Sequence, residues 1–181
     1  MLTSEMMEQV TLIDGSPVMI RPVRPDDAPR LQAFHTRLSE ESILFRFMGH
    51  PKVLTDEQAK NMADVDFRRT MALAGIVAEK DEERLIGVAR YEVIPSGEPG
   101  RAEAAIVVED EYQRRGLGVV LSDRLVAFAQ RHGVHTFVSF ILPENVEVLH
   151  LLRRSGLPLK VVEQDTDMLE IRITLPQRPD R

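Results

Sequence analysis

The segment Glu109-Asp-Glu-Tyr-Gln-Arg-Arg-Gly-Leu-Gly118 decides the fold, because it joins a strand-like run to a helical one. It follows the apolar run at 102–108, which has the length and composition of a strand. It leads directly into the helical pattern at 119–131. A strand that enters a helix through a glycine-containing loop gathers unpaired backbone N–H groups at the positive end of the helix dipole. Such a loop is suited to bind a phosphate anion.

Two common phosphate-binding motifs are excluded at this loop. The dinucleotide pattern G-x-G-x-x-G requires glycine at position 121, where the chain has Leu121, and the Gly-Lys-Ser/Thr tripeptide of the P-loop occurs nowhere. What remains is Q-x-x-G-x-G, in which Gly116 and Gly118 would let the backbone approach a phosphate closely. The alternative for both glycines is a tight turn that binds no ligand.

Charged residues surround the two glycines. Arg114 and Arg115 add positive charge that would favour a phosphate. Their alternative role is that of a solvated pair that balances Glu109, Asp110 and Glu111. We expect these three acidic residues to form a solvated turn.

The rest of the chain predicts antiparallel strands followed by one strand–helix–strand crossover. Besides 102–108, we expect strands at 18–23, 70–79, 84–93, 136–141, 160–163 and 168–174. Besides 119–131, we expect helices at 25–38, after Ser39, at 55–64 and at 145–155. A crossover between 102–108 and 136–141 forces one parallel pair into a mixed sheet. The predicted fold is therefore α/β (α+β): a mostly antiparallel central sheet with helices on both faces.

Length and composition limit the class of protein. The chain has 181 residues and reads as a single domain over 1–181, with flexible ends at 1–9 and 176–181. It has no cysteine, and its five histidines lack metal-ligand spacing, so we expect no disulfide and no metal. The net charge of −6 argues against a nucleic-acid partner. No apolar run or N-terminal pattern indicates a membrane or export, so we expect a cytoplasmic protein.

Taken together, these features resemble the GNAT N-acetyltransferase superfamily over about residues 18–175. The loop at 113–118 is similar to the acyl-CoA pyrophosphate loop of that superfamily, and Asn145 with Leu149 and Gly156 is similar to its second conserved block. More narrowly, the chain resembles the acetyltransferase domain of bacterial protein-lysine acetyltransferases of the Pat type. That similarity is carried by Leu38-Ser-Glu-Glu-Ser-Ile-Leu-Phe-Arg-Phe47, Ala102-Glu-Ala-Ala and Gln113-Arg-Arg-Gly-Leu-Gly118.

The resemblance implies acetyl-CoA as co-substrate and a set of residues that hold it. The pyrophosphate would bind the loop formed by Gln113, Arg114, Arg115, Gly116, Leu117 and Gly118. Backbone N–H groups around Val107 and Val108 would stabilise the oxyanion of the tetrahedral intermediate. Asn145 has two open interpretations, a helix N-cap and a contact to the CoA arm.

The chemistry of acetyl transfer requires a neutral amine, and Glu103 is the candidate base. A lysine amine titrates near ~10.4, so neutralising it at pH 7 costs about 4.6 kcal/mol. Glu103 lies in an otherwise apolar strand, and its position matches that of the general base in the Pat-type enzymes. We expect the site to bury it and raise its pKa. The alternative is an edge glutamate paired with Arg101.

One position departs from the superfamily. Many members carry a tyrosine seven residues after the asparagine, as acid for the leaving thiolate, and here that position is Leu152. Because a CoA thiol has a pKa near that of cysteine, about 8.5, the thiolate can leave without strict acid help. The sequence therefore leaves a dedicated general acid open.

The predicted function is an acetyl-CoA-dependent N-acetyltransferase that works by direct attack in a ternary complex. Its acceptor is a protein lysine by resemblance alone. The alternatives are a small-molecule amine acceptor and a non-catalytic acyl-CoA-binding regulatory module. A homo-oligomer is compatible with the sequence, which specifies neither the oligomeric state nor the acceptor.

Overall fold

A computed structural model of the chain describes residues 6–49, 53–80, 82–95, 98–163 and 168–176. Their strands form one eight-stranded sheet with the order β1-β2-β3-β4-β5-β6-β8-β7. Neighbouring strands are antiparallel except β5 and β6, which are parallel, as predicted. The strands are β1 Glu8–Thr11, β2 Pro17–Pro22, β3 Thr70–Glu79, β4 Glu82–Val93, β5 Arg101–Val108, β6 Thr136–Ile141, β7 Leu159–Glu163 and β8 Leu169–Thr174.

Helices cover both faces of the sheet, as predicted. On one face, α4 supplies the buried Leu117, Leu121 and Leu125 to a core that α5 borders. On the other face, α1 and α3 pack onto β3 and β4 through a second core. The helices are α1 Ala28–Arg37, α2 Glu40–Phe47, α3 Asp56–Ala63, α4 Leu117–Arg131 and α5 Val146–Arg154, with short 3-10 turns at Pro25–Asp27 and Asp110–Tyr112.

Side-chain caps begin three of these helices, which explains why the sequence located them well. Ser39 Oγ accepts a hydrogen bond from the backbone N–H of Ser42 and caps α2. Thr55 and Gln58 form the reciprocal capping box of α3. Asn145 Oδ1 accepts from the backbone N–H of Val148 at 3.2 Å, so the N-cap interpretation of Asn145 is confirmed.

Several element boundaries differ from the prediction. A 3-10 turn at Pro25–Asp27 precedes α1, which begins at Ala28, and β4 begins at Glu82 rather than at 84. Helix α4 begins at Leu117, two residues early, because Gly116 adopts a φ of 92° and becomes its N-cap. The N-terminal segment was predicted to be flexible through residue 9, but β1 begins at Glu8 and pairs with β2. The Glu8 carboxylate also accepts two hydrogen bonds from Arg124 of α4, at 2.7 and 2.9 Å. Residues 164–167, between the last two predicted strands, and residues 177–181 of the predicted flexible end lie outside the described residues.

The sheet opens between its two parallel strands. Strands β5 and β6 pair only from Arg101↔Thr136 to Glu103↔Val138. Beyond that point β5 continues along β4 alone, and β6 continues along β8. The opening therefore lies between Glu103 and the loop at Gln113–Gly118, which is called the glycine loop below.

Candidate active site

The glycine loop presents free backbone donors at the start of α4. None of the described residues accepts a hydrogen bond from the backbone N–H groups of residues 114–119. The side chain of Leu117 is fully buried and anchors the first turn of α4. It packs against Gly75 and Gly87, where an added Cβ would lie 3.0 and 3.1 Å from it. An anchored helix N-terminus with free amides can bind an anion.

The β1–β2 hairpin holds this loop from outside. The backbone N–H of Ile13 donates to the Arg115 carbonyl at 3.0 Å. The Arg115 guanidinium lies 2.8 Å from the Asp14 carboxylate and 5.0 Å from the ring centroid of Tyr112. The alternative in which Arg115 balances Glu109–Glu111 is therefore wrong for this residue, because its partner comes from the hairpin. Arg114 is exposed.

The side chain of Gln113 points back into the protein. Its Nε2 donates to the Val108 carbonyl at 3.0 Å and to Ser42 Oγ at 3.2 Å. Its backbone N–H donates to the Asp110 carbonyl at 3.3 Å. Gln113 thus joins the loop to the end of β5 and to α2, and its side chain is engaged by the protein itself.

The acidic turn before the loop is not uniformly solvated, contrary to expectation. Glu109 is 2% exposed, and both of its carboxylate oxygens lie 3.1 Å from Arg37 Nε. Arg84 makes a further short ion pair with it. Asp110 and Glu111 are exposed, as the sequence predicted, and Glu109 is not. The ion pairs of Glu109 with Arg37 and Arg84 hold the end of β5 in place, and the loop begins from that end.

Asp110 connects the same turn to α2. Its carboxylate accepts from the backbone N–H of Ser39 at 3.0 Å, from Ser39 Oγ at 2.6 Å and from Ser42 Oγ at 2.9 Å. Partial burial alone would raise the pKa of Asp110, but these hydrogen bonds outweigh it and lower the pKa. The start of α2 is therefore held by the segment that leads into the glycine loop.

The strand register assigns different directions to the two predicted oxyanion donors. In the β4–β5 ladder, Val107 pairs with Val88 and Val108 with Gly87. The backbone N–H of Glu109 donates to the Ile86 carbonyl. Because hydrogen-bonded and non-hydrogen-bonded pairs alternate, Val107 bonds to β4 while the N–H of Val108 points to the opening beside β6. Of the two, Val108 has the donor available to a ligand.

Two cavities meet at the opening. The first, here called the α4–α5 cleft, has a volume of about 330 Å³ and is lined by Ala104, Ile106, Val119, Val126, Ser139, Asn145 and Leu152 among others. The second, here called the Glu103 pocket, has a volume of about 480 Å³. It is lined by Arg46, Met62, Arg90, Glu92, Val93, Ile94, Pro95, Glu103 and Ala105. Arg46 and Ala105 line both cavities.

Glu103 faces the second cavity but is not buried. Side chains alternate along β5: Val107 belongs to the core beneath α1 and α3, while Ala104 and Ile106 face the α4 side. The prediction that the site buries Glu103 is wrong, because its side chain is exposed. The alternative partner, Arg101, forms no ion pair with it among the described residues. Its neighbour across the ladder is Glu92.

Asn145 and Leu152 both reach the α4–α5 cleft. Asn145 caps α5 with one amide oxygen and still lines the cleft, so capping and ligand contact are geometrically compatible. Leu152 lines it at the position where a tyrosine was sought. The two tyrosines lie elsewhere: Tyr91 is fully buried, which raises its pKa to about 12, and Tyr112 stacks beneath Arg115. Neither tyrosine lines either cavity.

Sequence reasoning missed several residues that the structure brings to the site. Arg90 and Glu92 alternate near the end of the apolar strand β4, which is the same signal that singled out Glu103. Arg46 follows an apolar run in α2, and nothing in that local pattern indicates that its side chain lines a cavity. In the described part of the chain, no group of three or more histidine, aspartate or glutamate side chains is arranged to hold a metal ion. Within that part, too, helices long and apolar enough to cross a bilayer are absent.

The fold and the free amides at α4 define the class of protein. A family model described as "Acetyltransferase (GNAT) domain" matches residues 18–158. The chain belongs to this family and is an enzyme of the N-acetyltransferase class.

Individual relatives support the assignment. "Acetyltransferase PA5475" of Pseudomonas aeruginosa is 36% identical over 129 residues, which cover 71% of this chain and 68% of the relative. "Acetyltransferase Pat" of Mycolicibacterium smegmatis is 28% identical over 137 residues, which cover 76% of this chain but only 40% of that protein.

Solved structures agree with the fold. The GNAT domain of Streptomyces lividans PAT superimposes with a TM-score of 0.85 at 26% identity, covering 95% of this chain and 98% of that one. The Salmonella typhimurium protein yncA, a putative acetyltransferase solved with acetyl-CoA, has a TM-score of 0.68 at 18% identity. That alignment covers 90% of this chain and 96% of yncA, and it supports the fold alone.

Proposed function

We propose that this N-acetyltransferase transfers the acetyl group of acetyl-CoA to the side-chain amine of a protein lysine, by direct attack in a ternary complex. One observation carries the proposal. Ala105 and Arg46 line both the α4–α5 cleft and the Glu103 pocket, so a thioester in one cavity can meet an amine in the other. Reactants held together in this way need no acyl-enzyme intermediate.

The first cavity and the glycine loop suit the cofactor. The free amides of residues 114–119 would bind the pyrophosphate, and the exposed Arg114 would add charge. The pantetheine arm would run along the α4–α5 cleft past Asn145. The thioester carbonyl would then lie at the end of β5, within reach of the N–H of Val108.

The second cavity suits the acceptor amine. The carboxylate of Glu103, directly or through one water, takes a proton from the ammonium group. The neutral amine attacks the thioester carbonyl, and the N–H of Val108 stabilises the oxyanion. The intermediate collapses, the C–S bond breaks, and CoA leaves as a thiolate. The second proton of the acetylated nitrogen passes through solvent to this thiolate, and protonated Glu103 releases its proton to solvent. With no tyrosine lining either cavity, this route relies on the low basicity of the thiolate.

Two observations favour a protein acceptor over a small amine. Relatives named Pat or PAT align over most of this chain, although the chain spans only part of the M. smegmatis protein. In addition, Glu103 is exposed rather than enclosed, so a lysine on a large partner can reach it. A cytoplasmic location remains a prediction from the sequence, and the oligomeric state stays open.

Substitution of the base tests the proposal. Glu103→Gln should lower turnover by about 10²–10⁴-fold and leave CoA affinity within twofold. The matched control is Glu57→Gln, on the exposed surface of α3, which should change neither. Turnover would be followed by transfer of labelled acetyl groups to lysate proteins, and CoA affinity by calorimetry. Undiminished turnover in Glu103→Gln would contradict the assignment of the base.

The same assay separates the alternatives. Label that appears on free amines and not on proteins would favour a small-molecule acceptor. Acyl-CoA binding without any transfer in the parent protein would favour a non-catalytic regulatory module.

A further inference from the structure

Four charged side chains line the Glu103 pocket, and no close ion pair joins them. They are Arg46, Arg90, Glu92 and Glu103. None of the four takes part in an ion pair of 4.0 Å or less with any residue that the structure describes. The Arg46 guanidinium carbon lies over the ring of Phe47, 4.9 Å from the ring centroid. The pocket thus holds two cations and two anions that are not matched to one another.

The register of the sheet separates the two signs of charge. Glu92 lies directly opposite Glu103, and Arg90 lies directly opposite Ala105. Since residues two apart in a strand share a face, the two carboxylates form one end of the pocket and Arg90 begins the other. Arg46 approaches Arg90 from α2. Two like charges side by side repel each other, and a ligand of the opposite sign at each end would relieve both repulsions.

The electrostatics of the arginine end agree with this description. Burial, with the repulsion from Arg90, lowers the pKa of Arg46 to about 10, against a weaker opposing attraction from Glu103. Burial also lowers the pKa of Arg90, again against attraction from Glu92 and Glu103. Both side chains are partly buried, and neither has gained a close carboxylate. A partly desolvated guanidinium without a close partner binds an added carboxylate more strongly than an exposed one does.

We propose that the acceptor lysine is flanked by an acidic side chain, and that Arg46 and Arg90 bind its carboxylate while the lysine ammonium lies between Glu92 and Glu103. The inference rests on the proposed transfer to a protein lysine and narrows it to a class of acceptor sequence. An acceptor segment with one ammonium and one carboxylate matches a pocket with two charges of each sign. Arginine suits this role, because its planar fork can hold a carboxylate through two hydrogen bonds.

Paired peptides test the inference through binding. Each fluorescent, end-blocked pentapeptide has one central lysine and a single aspartate at one of the other four positions. Its partner has asparagine there. With CoA present, at least one aspartate peptide should bind the protein about tenfold more tightly than its asparagine partner. Arg90→Gln and Arg46→Gln should each reduce that preference below threefold.

Arg68→Gln is the matched control, because Arg68 is exposed and lines neither cavity. It should retain the full preference. CoA affinity should be unchanged in Arg68→Gln and Arg90→Gln. Thermal unfolding should show that all three variants are folded, including Arg46→Gln in the wall of the α4–α5 cleft. Equal binding of every pair, or a preference that survives both pocket variants, would overturn the inference. Acetylation is read separately. If aspartate peptides bind preferentially but no peptide is acetylated, the proposed function is wrong and this inference stands. If both members of every pair are acetylated equally, this inference is wrong and the proposed function stands.

Discussion

Ser139 Oγ donates a hydrogen bond to the backbone carbonyl of Ala104 at 2.8 Å, at the point where the β5–β6 ladder ends. The last paired residues are Glu103 and Val138, one position earlier on each strand. A side-chain hydroxyl therefore occupies the place where a strand donor would otherwise continue the ladder. This arrangement satisfies the Ala104 carbonyl and lets the two strands separate immediately beyond it.

Ser139→Ala should weaken this junction. It leaves the Ala104 carbonyl without its partner, which should lower the free energy of unfolding by about 1–2 kcal/mol. Ser155→Ala is the control, since Ser155 Oγ also donates to a backbone carbonyl, that of Leu152, and accepts from the Leu157 N–H, but from an exposed position. Urea denaturation should show a loss below about 0.5 kcal/mol for Ser155→Ala. Equal losses in the two variants would contradict the special role of the Ser139 bond.

Gly116→Ala should disturb the loop that we assign to the pyrophosphate. Gly116 has a φ of 92°, which an alanine adopts at a cost of about 1–2 kcal/mol, and an added Cβ would lie 3.4 Å from Ile13. The free amides should shift, and CoA affinity should fall by tenfold or more. Calorimetric titration with CoA measures this effect.

Gly133→Ala separates backbone strain from the site. Gly133 has a φ of 77° after the far end of α4, where an added Cβ meets nothing within 4 Å. It should cost similar stability while leaving CoA affinity within twofold. If both alanine variants lost CoA affinity equally, general destabilisation would explain the loss.

Glu109→Gln should destabilise the end of β5. It removes the carboxylate charge that pairs with both Arg37 and Arg84, so each guanidinium group loses this one ion pair. Both arginines keep some contact with solvent, so screening reduces the cost to about 1–3 kcal/mol. The exposed Glu111 lies 3.4 Å from Arg84, and Glu111→Gln should cost less than about 0.5 kcal/mol in the same denaturation experiment. The reverse order would contradict the assignment.

Asp27 should make stability depend on pH. Its carboxylate has no exposed area and accepts from the fully buried Arg21 at 2.7 and 2.9 Å. Burial by itself raises the pKa of Asp27, but the hydrogen bonds from Arg21 and from the Arg24 backbone outweigh it, so the pKa in the folded protein is lowered. The stabilisation is therefore fully present above the unfolded pKa of about 3.9. It is lost as the pH falls through the lower, folded value.

Comparison with Asp27→Asn isolates this contribution. The difference in free energy of unfolding between parent and variant should be constant from about pH 6 to 8 and should narrow below about pH 4. Denaturation curves over that range measure it. A difference that stays constant down to pH 3 would contradict the lowered pKa.

Most of the fold followed from local sequence signals. Ser39, Thr55 and Asn145 are capping residues in a helix-start context, and each begins a helix in the structure. The crossover at 102–141 allowed one parallel pair, and the structure has that pair. The start of α4 was missed because a left-handed glycine replaced the usual polar cap, and Leu117 was then free to begin the helix.

The site was harder to predict, because its partners are distant in the chain. Glu109 is buried by Arg37 and Arg84, which lie 72 and 25 positions away, so the local acidic run wrongly suggested a solvated turn. The exposure of Glu103 depends on how α2 and α3 leave a space over β5, which no periodicity reveals. The position of Arg46 in the walls of both cavities could not be predicted for the same reason.

The hydrogen bonds of Asp110 to Ser39 and Ser42 have a consequence for the order of events. Helix α2 begins at these serines and carries Arg46, which lines both cavities. Any adjustment of the β5–α4 turn around a bound nucleotide is therefore passed to one wall of the acceptor pocket. By thermodynamic reciprocity, the effect of each substrate on the binding of the other should be equal in size and sign, so initial-rate patterns should show interdependent rather than independent addition.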